Sequence, residues 1–575
     1  MCNGSSHVHG DPHIVDHAGR RELPVGIESF ADMLSGFVYV DKTLALKELV
    51  DRCGVTQYCR PRRFGKSTLL RMIQCFFELP VQGYIPDCRE LFDDLAIAGQ
   101  GERYLEERGA HPVVYLNLAS CAGATFADAR ARISQIMADE YIRHAYLLES
   151  PRLLGFEKER FERVAAGAAT PAELTSSLAT LSKLLSRHHG GAQAVILIDE
   201  YDTPINEGYV KGYRQEMLDF YRSWLTDALK GTTNLYCAAL TGVLRVSQES
   251  IFSELNNVQV DTTLDDDHAE AIGFTEAEAE ALATYVGRAD RMDDMRQWYD
   301  GYRFGTTRVY NPWSVLRFLR SGEAQPYWTN TSSNGIVRDL VARAGQDETV
   351  ELARLAAGGT VARPLDLRTV FDGLASNPSA VWAQMYQAGY LTTEDTGFPN
   401  DSKRQRALKV PNFEVGELFA QELIDRSVRM AGSRHRLDAL HRAVSSADAP
   451  AFQDALRQIL LDSPSYHDLT DEGRYHTLLL GLLYCVPGYK PATSNRESGD
   501  GRCDVLLEPL PERARDFPAL AMELKLAKKG EDLVEVARDV ALAQAVRLSY
   551  GHGLAGSRSV LWGIAFYGKD VACAC

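Results

Sequence analysis

The stretch "GVTQYCRPRRFGKSTLLRMIQCFFE", residues 54–78, constrains the fold more than any other. A short β-prone run leads into Gly65-Lys66-Ser67. Behind it, Leu69, Leu70, Ile73, Phe76 and Phe77 recur at helical spacing. Strand, tight turn and helix in immediate succession form a loop whose backbone amides turn inward, ready to surround phosphate oxygens. In such a loop the lysine reaches the outer phosphates and the hydroxyl after it ligates Mg²⁺. Lys66 and Ser67 fit those roles, and the cradle is expected to run from Arg63 and Phe64 through Gly65 to Thr68. Five residues before Gly65 the pattern asks for a second glycine, and Arg60 stands there. A β-carbon removes backbone freedom at that point, so the loop entry is expected to be shaped differently, partly by Pro61.

Two further runs complete a set. "AVILID" (194–199) is continuously apolar and ends in an acid, as a strand buried on both faces would. It presents Asp199 to hold Mg²⁺ and Glu200 to orient an attacking water. "TNLYCAALTG" (233–242) ends in Thr241, placed to sense the outermost phosphate. With "HPVVYLNLA" (111–119), these strands alternate with long helical stretches, which predicts a parallel sheet covered on both sides. The expectation is an ATP- and Mg²⁺-binding α/β domain over residues 23–265, after a polar, histidine-bearing disordered tail over 1–22.

Past residue 265 the texture turns helical. Thr275 and Glu278 have capping-box spacing, and Asn311-Pro312 reads as a cap followed by a first helical residue. "GYLTTED" and "ALKVPNFEV" suggest a hairpin with basic "SKRQR" at its turn. Residues 266–440 are therefore expected to be a helical lid and winged-helix connector. The last segment, 441–575, returns to strands. Asp504 lies in "RCDVLLEPL"; Glu523 and Lys525 lie in "ALAMELKLA", two apart and so on one face. A hairpin would set Asp504 beside Glu523. Two carboxylates can hold Mg²⁺, and Lys525 can position a water or offset developing charge. Charges in so apolar a run require partners or a metal.

Bulk properties narrow the classes. A chain of 575 residues exceeds one core, and no run of 18 apolar residues is present, so no membrane span is expected. The N-terminus shows no apolar signal core, and eleven cysteines without a CxxC pair suggest reduced thiols; a cytoplasmic location is expected. A net charge of −16 counts against non-specific nucleic-acid binding over the whole surface, though a local basic face suffices.

"LPVGIESFADMLSGFVYVDKT" (23–43), "RPRRFGKST", "ILIDEYDTPI", "LTGVLRVSQESIFSELNNV" and "WYDGYRF" with "VYNPWSV" resemble the AAA-ATPase-like family of bacterial and fungal proteins. That resemblance implies an AAA/ASCE-type P-loop NTPase sheet, with an extra strand between the phosphate loop and the acidic strand. It makes Arg60 a family trait and marks Arg245 as a nucleotide contact. The C-terminal triad resembles the PD-(D/E)XK nuclease superfamily, implying a restriction-endonuclease-like α/β domain. Within that resemblance Glu497 is an additional metal-binding acid and Gln544 the helix-borne glutamine, with Glu472 a further candidate. Cys503 replaces the aspartate-preceding proline of the superfamily name. The expected function is an ATPase coupled to a Mg²⁺-dependent nuclease acting on nucleic acid, DNA first, in defence or mobile-element biology, as a homo-oligomer. The alternatives are a regulatory ATPase whose C-terminal domain binds nucleic acid or protein without cleavage, and a binding module with a degenerate loop.

Overall fold

A computed structural model describes residues 14–245, 258–331, 334–343, 346–367, 378–394, 405–462, 472–498, 501–550 and 558–575. The chain divides into two compact units. One comprises residues 1–332 and 362–414, the other 333–361 and 415–575.

In the first unit five strands form one parallel sheet. They are β1 (Val55–Cys59), β2 (Val113–Asn117), β3 (Ala194–Asp199), β4 (Leu235–Gly242) and β5 (Val258–Asp261), in the order β2-β3-β4-β1-β5. This is consistent with the expected P-loop core. β4 lies between the strand that launches the loop and the strand that ends in Asp199, so the two do not pair directly. Helix α1 (Lys66–Phe77) follows the loop and covers one face. Its Leu69, Leu70 and Ile73 share a core with Val195 and Leu197 of β3. The alternate residues Ile196 and Ile198 are also fully buried, and helices Ser177–His188 and Arg214–Leu229 pack on β3 and β4. Burial of both faces is why these strands read as unbroken apolar runs.

The segment expected to be a tail enters the fold at Ile14. Ile14–Val15 pairs antiparallel with Tyr39–Val40; Ile14 packs on a cluster with Leu23, Val38 and Leu282, and Val15 joins the core of the parallel sheet with Phe30 and Tyr39. His7, His9 and His13 lie outside the described residues. The capping box at Thr275 and Glu278 is present, as is the cap on α2 (Pro312–Ser321), where Asn311 Oδ1 accepts from Ser314 N at 3.2 Å. Thr392–Thr393 pairs antiparallel with Gln405–Lys409, the expected hairpin; residues 402–404 of its basic turn lie outside the described residues. Helix α3 (Phe413–Ala431) begins in the first unit and ends in the second.

The second unit is built on a five-stranded mixed sheet after helix α4 (Glu472–Leu483). Its strands, in spatial as in chain order, are β6 (Thr493–Ser498), β7 (Gly501–Leu507), β8 (Ala519–Leu526), β9 (Ser559–Tyr567) and β10 (Asp570–Ala574). Only β8 and β9 run parallel; a helical segment over residues 533–547 connects their ends across the sheet. Among the described residues every cysteine is a free thiol, and no helix is long and apolar enough to cross a membrane.

Candidate functional sites

The loop after β1 begins with Arg60, whose side chain turns into the interior. It is fully buried, and its Nη2 donates to both carboxylate oxygens of Asp261 at 3.0 Å, at the end of β5. Nη1 donates to the Asp261 carbonyl at 3.0 Å, and the guanidinium lies 4.7 Å from the centre of the Phe304 ring. Arg60 thus bolts the loop entry to the sheet edge, and the conformational freedom sits further along. Arg63 and Gly65 adopt left-handed backbone at φ 67° and 98°. The strain at Arg63 is held by neighbours: its guanidinium stacks 4.4 Å over Trp313.

Phe64, read as part of the cradle, is a buried anchor. Its ring packs edge-on against Tyr302 at 4.9 Å and near Phe304 at 5.4 Å, and its carbonyl accepts from Gly273 N at 3.0 Å. The "WYDGYRF" segment, which had no role derivable from its residues, therefore braces the loop from outside the sheet.

Lys66 is buried at the first turn of α1. Its Nζ donates to the Pro61 carbonyl at 3.1 Å and lies 3.7 Å from Glu200 Oε1. Glu200 itself has left-handed backbone, φ 52°. A non-glycine residue held there is a strain that surrounding structure must enforce. Asp199 is fully buried. One carboxylate oxygen accepts from Thr241 Oγ1 and from Glu200 N at 3.0 Å, while Oδ2 has no hydrogen-bond partner. A buried, half-satisfied carboxylate beside a hydroxyl, one residue before the Glu200 that meets Lys66, is a donor set suited to a hydrated divalent cation on a polyphosphate.

A cavity of about 660 Å³ opens over this loop. Arg63 through Thr68 and Glu200 line it on the polar side. Ile27, Val38, Val40, Phe274 and Leu316 form an apolar wall, the first three from the "LPVGIESF…VYVDKT" segment and Leu316 from just past "VYNPWSV". Asp199, Thr241 and Arg245 do not line it. Asp199 and Thr241 pair with each other, and the Arg245 amide donates to Gln387 Oε1 at 3.1 Å. Lys42 binds the Glu278 carboxylate at 2.6 Å, fixing the "VDKT" turn to the capped helix that begins at Glu276.

Asp202 escaped the sequence reading. It is buried and accepts the amides of Val243 and Leu244 at 3.1 and 2.8 Å, tying the turn after β3 to the end of β4. Burial, then the Glu200 charge, push its carboxyl up to about 6. Gly242 is required at this junction, since a Cβ there would lie 2.6 Å from Asp202 Oδ1 and the Tyr201 ring. The available signal was a second acid two residues past the Asp-Glu pair.

A second polar cluster occupies the β7–β8 region. Asp504 Oδ2 accepts from Leu524 N at 2.8 Å. Glu523, nearly fully buried, accepts at Oε1 from Lys525 Nζ at 2.8 Å and from Gln544 Nε2, and its Oε2 has no hydrogen-bond partner. Burial raises the Glu523 carboxyl and the Asp504 charge adds to this, against the opposing pull of Lys525. Burial pulls Lys525 down, but Glu523 outweighs it and leaves the ammonium raised, with the charge of Glu472 contributing. The structure thus groups Asp504, Glu523, Lys525 and Gln544. Tyr550, which the sequence reading missed, lies close enough to Glu523 to influence its carboxyl, and His476 Nε2 donates to the Asp504 carbonyl at 2.6 Å. Gln544 reaches the strand because Gly563, the register partner of Glu523, has no side chain; a Cβ there would lie 2.2 Å from the Ala537 carbonyl oxygen. Glu497 falls on β6, but its side chain lies outside the described residues. Among the described residues no three His, Cys, Asp or Glu side chains form a preassembled metal cage.

A family model described as predicted AAA-ATPase matches residues 24–252. That range contains β1 to β4, the loop, Asp199, Glu200 and Thr241. The chain is also similar to an uncharacterized protein from the vnfD 5′ region of Azotobacter chroococcum mcd 1. The two are 27% identical over 456 residues, 78% of each chain.

Proposed function

We propose that the first unit binds ATP with Mg²⁺ at the Gly65-Lys66-Ser67 loop and hydrolyses it, and that the second unit is a Mg²⁺-dependent nuclease. The first part is carried by one observation: Lys66 and Glu200 meet at 3.7 Å on the wall of a cavity large enough for a nucleotide. In this reading Lys66 exchanges the Pro61 carbonyl for phosphate oxygens, Ser67 and Asp199 hold the cation directly or through water, and Glu200 orients the attacking water. Thr241 fixes the Asp199 carboxylate rather than touching nucleotide. When bound, Mg²⁺ supplies neutralisation of the phosphate charge. The family match over this region supports a nucleotide-hydrolysing activity.

The nuclease reading rests on Asp504, Glu523, Lys525 and Gln544 converging on adjacent strands and the neighbouring helix, with Glu523 Oε2 unsatisfied. The helix–three strands–helix–strand order of α4, β6 to β8, residues 533–547 and β9 agrees with a restriction-endonuclease-like domain. The antiparallel pairing of Thr392–Thr393 with Gln405–Lys409 supports reading that region as the wing of a winged-helix connector that meets DNA. The net charge of −16 favours a second reading, in which the C-terminal unit binds a partner without cutting.

The test is the purified chain with Mg²⁺, with and without ATP, against plasmid, single-stranded DNA and RNA. Lys66→Ala is expected to abolish ATP binding and turnover, and Asp504→Ala to abolish cleavage. Turnover undiminished in Lys66→Ala would remove the ATPase reading. Retention of nucleic acid without any cleavage by the wild type would select the second reading.

A further inference from the structure

Two consecutive carbonyls of the phosphate loop are held from different directions. Pro61 O accepts from Lys66 Nζ at 3.1 Å, and Arg62 O accepts from the indole Nε1 of Trp328 at 3.1 Å. The first contact is local and must break when Lys66 turns to a phosphate. The second comes from a residue 266 positions away that also lines the cavity. Trp328 is buried and packs against Tyr390 at 5.2 Å.

The same tryptophan is gripped at its backbone. Glu414, 1% exposed, accepts at Oε1 from the amides of Trp328 and of Thr329, the latter at 3.3 Å. Its Oε2 accepts from Ser314 Oγ at 2.8 Å, in the first turn of α2. α2 also presents Leu316 and the Arg63-stacked Trp313 to the cavity. A buried carboxylate is costly unless its lone pairs are filled, and here neutral donors fill them. Glu414 stands in the first turn of α3, where an anion is favoured by the helix N-terminus. Loop, cavity wall and the start of a nineteen-residue helix are therefore linked through two residues, Trp328 and Glu414.

We propose that Trp328 and Glu414 are positioning residues for the nucleotide: together they couple the Arg62 carbonyl of the phosphate loop to the first turn of α3, so that loop rearrangement on nucleotide binding is read out in that helix. This rests on the ATP-binding reading above. Neither side chain acts on the reacting atoms. Trp328 fixes the loop carbonyl, and Glu414 fixes Trp328 and Ser314 with one carboxylate. Nucleotide has leverage on α3 only through the difference in how these contacts sit with the loop empty and occupied.

The experiment is MgATP titration of the full chain combined with hydrogen exchange of the α3 amides. In the wild type, MgATP is expected to change exchange in residues 415–431. Trp328→Phe keeps an aromatic ring and removes the N–H together with the five-membered ring that carries it. It is expected to weaken MgATP roughly fivefold, the worth of one neutral hydrogen bond, and to abolish the exchange response while the chain remains folded. Glu414→Ala is expected to lose the response too. Glu414→Gln is expected to keep it, because its carbonyl oxygen still serves the two amides and Ser314 Oγ can accept from its amide nitrogen. Wild-type affinity and an unchanged α3 response in Trp328→Phe would overturn the proposal while leaving ATP binding intact. So would a response lost equally in Glu414→Gln and Glu414→Ala. A wild type that binds no MgATP, like Lys66→Ala, would instead overturn the ATP reading itself, and this inference with it.

Discussion

Arg60 is kept in the interior as a cation by acceptors on Asp261 and by the face of Phe304. Such pairs add little net stability over a well-packed apolar pair, yet removing one partner leaves the other buried and uncompensated. Arg60→Gly, which writes the common glycine back into the loop, is therefore expected to destabilise the fold by about 3–5 kcal/mol, measured by denaturant unfolding. His268 belongs to the same network, with Nδ1 3.3 Å from Asp261 Oδ2 and Nε2 on Glu48. Burial lowers its pKa, but hydrogen bonds to Asp261 and Glu48 outweigh that and raise it to about 9, from an ordinary 6.5. Its contribution is complete below pH 6.5 and disappears as pH rises through 9. The unfolding midpoint is expected to fall across that window, and in His268→Asn this component of the fall should be absent.

Among the elements, β2 to β4 and α1 were legible because their residues show their burial, apolar and β-branched runs for the strands and helical spacing for α1, and β1 because it feeds the Gly65-Lys66-Ser67 turn. Others were not. Val258–Asp261 carries four residues and the Ile14–Val15 pairing only two, too few for a period to appear; Asp570–Ala574, as long as β1 and β2, has no motif beside it to mark it. The helical segment behind β8 illustrates a contact that no period encodes. A Cβ on Gly563 would strike the Ala537 carbonyl at 2.2 Å and Leu542 N at 2.3 Å. Gly563→Ala is expected to push this segment off the sheet at a cost of about 1–3 kcal/mol, lowering the melting temperature and drawing Gln544 away from Glu523. If the unit cuts nucleic acid, the same variant should lose cleavage while ATP turnover persists.

At the scale of the whole molecule, the second unit is discontinuous. Residues 333–361 contribute Arg426's partner, since Arg426 Nη1 donates to Thr349 Oγ1 at 2.7 Å, and Val350 packs on the core formed by Leu479, Leu482 and Leu524. α3 contributes Ser427, whose hydroxyl donates to the Gly481 carbonyl of α4. A fragment of residues 441–575, the boundary suggested by sequence texture, leaves all of these out. It is expected to expose that core and bind a hydrophobic dye. A fragment joining 333–361 to 415–575 should unfold cooperatively and bind none. An equally cooperative 441–575 fragment would show the earlier segments to be dispensable.

The residues alone determined the strand–turn–helix at Gly65-Lys66-Ser67, the parallel strands ending in Asp199 and Thr241, the two helix caps and the carboxylate–lysine group of the C-terminal sheet. Each of these is local: a spacing of a few residues sets which side chains share a turn or a face. Only the tertiary structure decided where Arg60 points, that Phe64 is braced by Tyr302 and Phe304, that Thr241 serves Asp199, and that Glu414 reaches Trp328 from 86 positions away. Such partners are chosen by burial, since an enclosed charge must find whichever donors or acceptors the packing brings to it. No interval along the chain records that choice.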